Sequence, residues 1–198
     1  MPLLLRKIRK GKWYKNDSVL WLGENEIQAD ALGDIVTSSN TLSVWLVEDD
    51  KPNLEQIIIA LASGCDNISN FDYALLNVDL LSNFGIKIET KEGSTPYARA
   101  NQWHRDLVEL TTNKLFKLAE AMFILSDRER VAEKTVLNWI KDAVRNGQID
   151  KTKLSAGITK KLDRSRSDAQ KEPVRSASVL ISWRVVRLSQ WVEIVPIG

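Results

Sequence analysis

The chain has 198 residues, 43% of them hydrophobic and 27% charged, with a mean hydropathy of −0.23 and a formal net charge of +2; these are ordinary globular values and exclude a chain disordered or fibrous throughout. One cysteine, Cys65, excludes an intramolecular disulfide and a zinc site built from several thiolates, and the single histidine, His104, leaves nucleophilic triads and His-rich metal centres short of groups. No apolar run approaches the roughly 20 residues of a membrane span, and Pro2 to Leu5 is too short for a signal sequence and precedes its basic residues, so the expected compartment is the cytoplasm, with no membrane and no disulfide-linked partner.

In chain order, Leu3 to Ile8, Lys12 to Tyr14 and Val19 to Leu22, around an Asn16-Asp17 turn, read as an opening strand and hairpin. Asn25 with Gln28 resembles a capping box for a short helix carrying Ile27, Ala31 and Ile35. Thr41 to Val47, β-branched and aromatic, predicts a buried strand. Pro52 and Asn53 open a helix with Leu54, Ile57, Ile58 and Leu61 at helical spacing and Gly64 as its stop; Cys65 just after it reads as a small buried hydrophobe. Tyr73 to Val78 and Ile86 to Glu89 are further strands, with a turn of helix at Leu80 and Leu81. Alternating strand and helix favours a mixed or partly parallel sheet.

Thr95-Pro96 and the apolar series Trp103, Leu107, Leu110, Leu115, Leu118 and Met122 predict a long helix, with His104 on it as a satisfied, partly buried histidine. Ser126 to Glu129 matches a capping box, so a second helix is expected there, with Val131, Trp139, Ile140 and Val144 inward and Gly147 as its stop. Asp150 caps a third with Leu154, Ile158 and Leu162 on one face. Arg164 to Ala177 is polar and reads as a loop, after which Val179 to Leu188 and Trp191 to Val195 return to β character and are expected to rejoin the sheet. The fold expected is a single α+β domain over residues 1–198: a mixed sheet region (1–93), a helical region (94–163), a basic polar loop (164–177) and closing strands (178–198).

The net charge conceals segregation. Residues 1–15 hold six basic and no acidic residues, residues 16–93 three basic against fourteen acidic, and residues 141–187 twelve basic against five acidic. Opposite blocks either face one another within the fold or present separate fields to partners. Trp13 and Tyr14 lie in the first basic block, Trp183 and Trp191 near Arg184 and Arg187. Basic residues with aromatics are the composition of a nucleic-acid surface, although a Trp in a strand serves a core equally well.

There is no phosphate loop of the Gly-x-x-x-x-Gly-Lys-Ser/Thr type and no Gly-x-Gly-x-x-Gly after a strand. Glu89-Thr90-Lys91 at a strand end, with Asp79 upstream, resembles the core of the restriction-endonuclease-like superfamily. That resemblance implies Asp79 and Glu89 as ligands of Mg²⁺ and Lys91 as the residue that positions or activates water. It covers about 30 residues, and a composition of this kind yields about two acidic-x-Lys triplets by chance; the second is Asp49-Asp50-Lys51. Glu48, Asp49 and Asp50 form a further acidic turn.

The first functional expectation is therefore non-enzymatic, with no cofactor and no catalytic residues: a nucleic-acid-binding or accessory subunit of a nucleoprotein assembly. Its phosphate contacts would come from Arg6, Lys7, Arg9, Lys10 and Lys12, from Lys151, Lys153, Lys160 and Lys161, and from Arg164, Arg166, Lys171 and Arg175. The alternatives are the Mg²⁺-dependent nuclease through Asp79, Glu89 and Lys91, and a protein-interaction module.

Overall fold

The computed structural model describes residues 2–13 and 26–169, the side chains of Lys10, of residues 124–125 and of residues 165–169 excepted. Six strands, β1 (Leu3–Ile8), β2 (Leu42–Val47), β3 (Phe71–Asn77), β4 (Lys87–Thr90), β5 (His104–Val108) and β6 (Asp127–Val131), form one sheet in the order β4-β5-β2-β1-β3-β6. The α+β class is as expected. Every pairing, however, is antiparallel, where alternating strand and helix favoured a mixed sheet. Helices still serve as crossovers, but between strands that are not neighbours: β2 and β3, each antiparallel to β1, run parallel to one another on either side of it, and the Leu54–Ser63 helix that joins them packs on one face of the sheet.

Alternation along each strand divides the core in two. Leu5, Trp45, Val47, Tyr73 and Leu75 face α1 (Leu54–Ser63), α4 (Glu133–Arg145) and α5 (Ala156–Ala169), where they meet Ile57, Val136, Ile140, Ile158 and Leu162. Leu4, Ile8, Leu42, Val44, Ala74, Leu76 and Leu107 face the other way, against Trp13, a 3-10 helix (Ala29–Ile35), α2 (Val78–Asn83), α3 (Thr112–Glu120) and a π-helical turn (Ala121–Leu125). With both faces covered, β3 is buried at every position from Phe71 to Leu76, which explains its nearly unbroken apolar run.

The expected long helix from Thr95 to Met122 is not formed. A 3-10 helix (Ala98–Trp103) gives way to β5, then Glu109 turns the chain at φ 53° and Thr111 caps α3 by accepting from the Lys114 amide. Trp103, Leu107 and Leu110 satisfy helical spacing over so short a run that pairing with β2 and β4 decides against it. Ser126 does not open a helix either: its hydroxyl donates to the Met122 carbonyl, β6 begins at Asp127, and α4 starts at Glu133, whose amide is accepted by the side chain of distant Asn70. Residues 94–163 are thus mixed, not helical.

Near the start, Lys10–Lys12 is a 3-10 turn and not part of a hairpin strand; the Asn16-Asp17 turn, Tyr14 and Asn25 lie outside the described residues, and so do the closing strands. Asp150 caps a 3-10 turn (Lys151–Lys153), and α5, starting beyond it, continues through Arg164 to Ala169, where a loop was expected. Gly64 ends α1 in a right-handed conformation, whereas Gly147 ends α4 at φ 69°. No helix among the described residues is long and apolar enough to cross a membrane.

Candidate nucleic-acid interface

The N-terminal basic block is organised by one buried carboxylate. Asp34, at the end of the Ala29–Ile35 helix, is 9% exposed; it accepts from the Arg9 amide at 2.8 Å, the Arg9 guanidinium at 2.7 Å and the Trp13 indole at 2.9 Å. Burial alone would raise its pKa, but these donors outweigh it and hold the carboxyl below its ordinary value. Arg6 spends its guanidinium on backbone carbonyls, those of Asp34 at 2.7 and 3.0 Å and Ser43 at 2.8 Å. Burial pushes its pKa down, partly offset by the Asp34 charge. Trp13 is wholly buried, so it is a core residue and offers no stacking face.

Where β1 leaves the sheet, β3 enters and β6 leaves, there is a cleft of about 470 Å³ lined by Lys7, Ile8, Arg9, Gly11, Lys12, Ser69, Asn70, Asp72 and Arg130. Its described lining carries four cations and one carboxylate. That carboxylate is already matched: strand pairing sets Asp72 opposite Arg130, whose fork reaches it at 2.6 and 2.9 Å. Lys7 lies 2.9 Å from the Cys65 sulfur and 5.7 Å from the Phe71 ring centre; Cys65 is half-buried, not sealed in the core. Lys12 reaches Asp30 at 3.5 Å, a partner 80% exposed, so water screens that pair and leaves the ammonium open to a stronger anion.

The second basic block meets the first at residues 66–70. From α5 and the residue before it, the Ser155 hydroxyl donates to the Asp66 carbonyl and Lys161 donates to the Ile68 carbonyl and to Glu133. Gly157 permits this approach, since a β-carbon there would collide with the Asp66 carbonyl and the Asn67 side chain. Lys153, Lys160 and Arg164 are exposed, while Lys151 pairs with Asp163 at 2.7 Å. The Lys10 and Arg166 side chains and all of Lys171 and Arg175 lie outside the described residues. Lys7, Arg9 and Lys12 are therefore brought into one cleft; Arg6 is built into the fold instead. Arg130 was not legible as a member, because only the pairing of β3 with β6 delivers it.

The acidic-x-Lys constellation is not assembled. Asp79 follows β3, whereas Glu89 lies on β4, and β5, β2 and β1 intervene; four spacings of about 4.8 Å set the two strands about 19 Å apart, too far for one metal ion. Lys91 pairs instead with Asp106 at 3.2 Å. Among the described residues no group of three His, Cys, Asp or Glu side chains could hold a metal. His104 sits on β5, its Nδ1 2.9 Å from the Lys91 carbonyl, its Nε2 3.5 Å from Asp106 and its ring edge-on to Trp45. The Glu48 to Asp50 turn borders a cavity of about 590 Å³ with Leu3 and Lys51; Glu48 accepts from the Trp103 indole at 3.1 Å.

Comparison of the chain with protein-family models, curated proteins and solved structures finds no match.

Proposed function

We propose that this protein is a non-enzymatic nucleic-acid-binding or accessory subunit that holds a polynucleotide by its phosphates at the cleft between β1, β3 and β6. The carrying observation is the cleft itself: three cations from residues 7–12 and a fourth, Arg130 of β6, stand around one space, with the carboxylate among its described lining already occupied by Arg130. Anionic oxygens suit such a site, since lysine supplies point charge and arginine a planar fork. No aromatic side chain is among the described lining, so binding is through the backbone of the nucleic acid and carries little sequence preference.

The test is a fluorescence-anisotropy titration of labelled single- and double-stranded DNA and RNA over about 50–200 mM salt, with Mg²⁺ present and absent and strand integrity read on a denaturing gel. Affinity should fall as salt rises, and the strands should stay intact. Lys7→Gln with Lys12→Gln should reduce the slope of log K against log salt by about 1.8 for a duplex, at about 0.9 for each phosphate no longer neutralised. Salt-insensitive binding, or none at about 50 mM salt, refutes the reading and turns the search to protein partners. Mg²⁺-dependent cleavage would overturn the non-enzymatic reading and point to a catalytic site other than Asp79, Glu89 and Lys91, which the sheet order keeps apart.

A further inference from the structure

We infer that the cleft and the exposed face of α5 form one continuous track for a polynucleotide strand, with residues 66–70 as its floor. This rests on the nucleic-acid reading above and extends it: the two basic blocks, at opposite ends of the described chain, bind successive phosphates of the same strand. Ser69 and Asn70 line the cleft, and the carbonyl of Ile68, one residue earlier, is where Lys161 anchors. From Ile68 to Asn70 is at most about 7 Å of backbone, equal to about two axial steps of a nucleic-acid strand at about 3.4 Å each.

Past that anchor, Lys160 and Arg164 stand four residues apart on α5, both exposed, and hence one above the other on one helix face. Their opposite face is fixed by Ile158 and Leu162 in the core, so the cations are directed outward by packing. Among the described carboxylates around α5, Glu133 and Asp163 are bound by Lys161 and Lys151, Asp66 is exposed, and Arg164 has a partner of its own. A strand leaving the cleft thus meets further cations within two nucleotides, whereas a ligand carrying a single phosphate uses the cleft alone.

The experiment compares a labelled nucleoside monophosphate with a labelled 20-nucleotide strand and its duplex, using the full chain, Lys160→Gln with Arg164→Gln, and Lys7→Gln with Lys12→Gln. The α5 variant should reduce the salt slope for the 20-mer by up to about 1.4 as a single strand or about 1.8 as a duplex, and leave the monophosphate unchanged. The cleft variant should weaken both. An α5-dependent loss in either 20-mer arm supports the track. A 20-mer curve unchanged in the α5 variant but weakened in the cleft variant overturns the track and leaves the proposed function standing. No binding of any probe overturns both, and displacement of the 20-mer by poly-glutamate at equal charge would assign the surface to an acidic protein.

Discussion

Replacing Asp34 with alanine removes the acceptor for the Trp13 indole, which is wholly buried, and for the Arg9 amide, which is partly so. A buried donor stranded in this way costs about 1–3 kcal/mol. The Arg9 guanidinium is cheaper to release, because its side chain is 57% exposed and regains water. The sum is about 3–5 kcal/mol, the range found on breaking a buried charged pair by removing one partner. Asn at this position keeps one acceptor and should cost about half as much. With a urea dependence of about 2 kcal/mol per molar, Asp34→Ala should lower the denaturation midpoint by about 1.5–2.5 M, followed by tryptophan fluorescence. The pH dependence has a definite sign. Asp34 has a folded-state pKa below its ordinary 3.8, so its stabilisation is present above that value and fades as pH falls through the lowered one. A midpoint shift under about 0.5 M at pH 7, or a difference from Asp34→Asn that persists unchanged at pH 2, would refute the assignment of Asp34 as the organiser of the N-terminal block.

Gly157→Ala should destabilise by about 1–3 kcal/mol, because the added methyl meets the Asp66 carbonyl and the Asn67 side chain; a glycine in an open helix would respond oppositely, so the sign of the change in a thermal melt decides whether α5 packs here. Tyr73, pushed up first by burial and then by its 2.6 Å hydrogen bond to Glu129, retains its proton in the fold after an unfolded tyrosine would lose it. Stability should therefore decline as pH rises above about 10, and denaturation of Tyr73→Phe across about pH 9–11 should show a shallower decline. Trp13→Phe keeps most of the buried apolar surface but removes the indole donor to Asp34, which should cost about 1–2 kcal/mol in urea denaturation.

What the sequence disclosed, and what it hid, follow from the range of the forces involved. Strands β1 to β4 and helices α1 and α2 were legible because their signals are local: β-branched runs, helical spacing, a stop at Gly64. The region from Thr95 to Val131 misled because its deciding interactions are distant. β5 is a strand through its pairing with β2, more than fifty residues earlier in the chain, and α4 takes its cap from Asn70, sixty-three residues before Glu133. Ser126-x-x-Glu129 supplies the letters of a capping box, but Glu129 is claimed by Tyr73 and Lys51 across the sheet. The site divides in the same way. Lys7, Arg9 and Lys12 were visible as a charge run, whereas Arg130 belongs to the cleft only through its strand partner Asp72.

The same pairings change what the charge blocks imply about binding. Six basic residues before position 16 suggest as many phosphate contacts, yet Arg6 is committed to two backbone carbonyls and Arg9 is half committed to Asp34. The acidic block supplies Asp30, Asp34 and Asp72 to cations of the cleft, so part of the segregation is internal neutralisation. Among the described side chains, what remains for a ligand is Lys7 and Lys12, with Arg9 and Arg130 sharing their forks. A strand confined to the cleft should then show a salt slope of at most about 3.6 in magnitude as a duplex or about 2.8 as a single strand, from about four neutralised phosphates at about 0.9 or 0.7 each. A slope of about 5 or above for a probe short enough to occupy only the cleft would call for cations beyond these four, and if Arg6, released from the Asp34 carbonyl, is one of them, Asp34→Asn should raise the affinity.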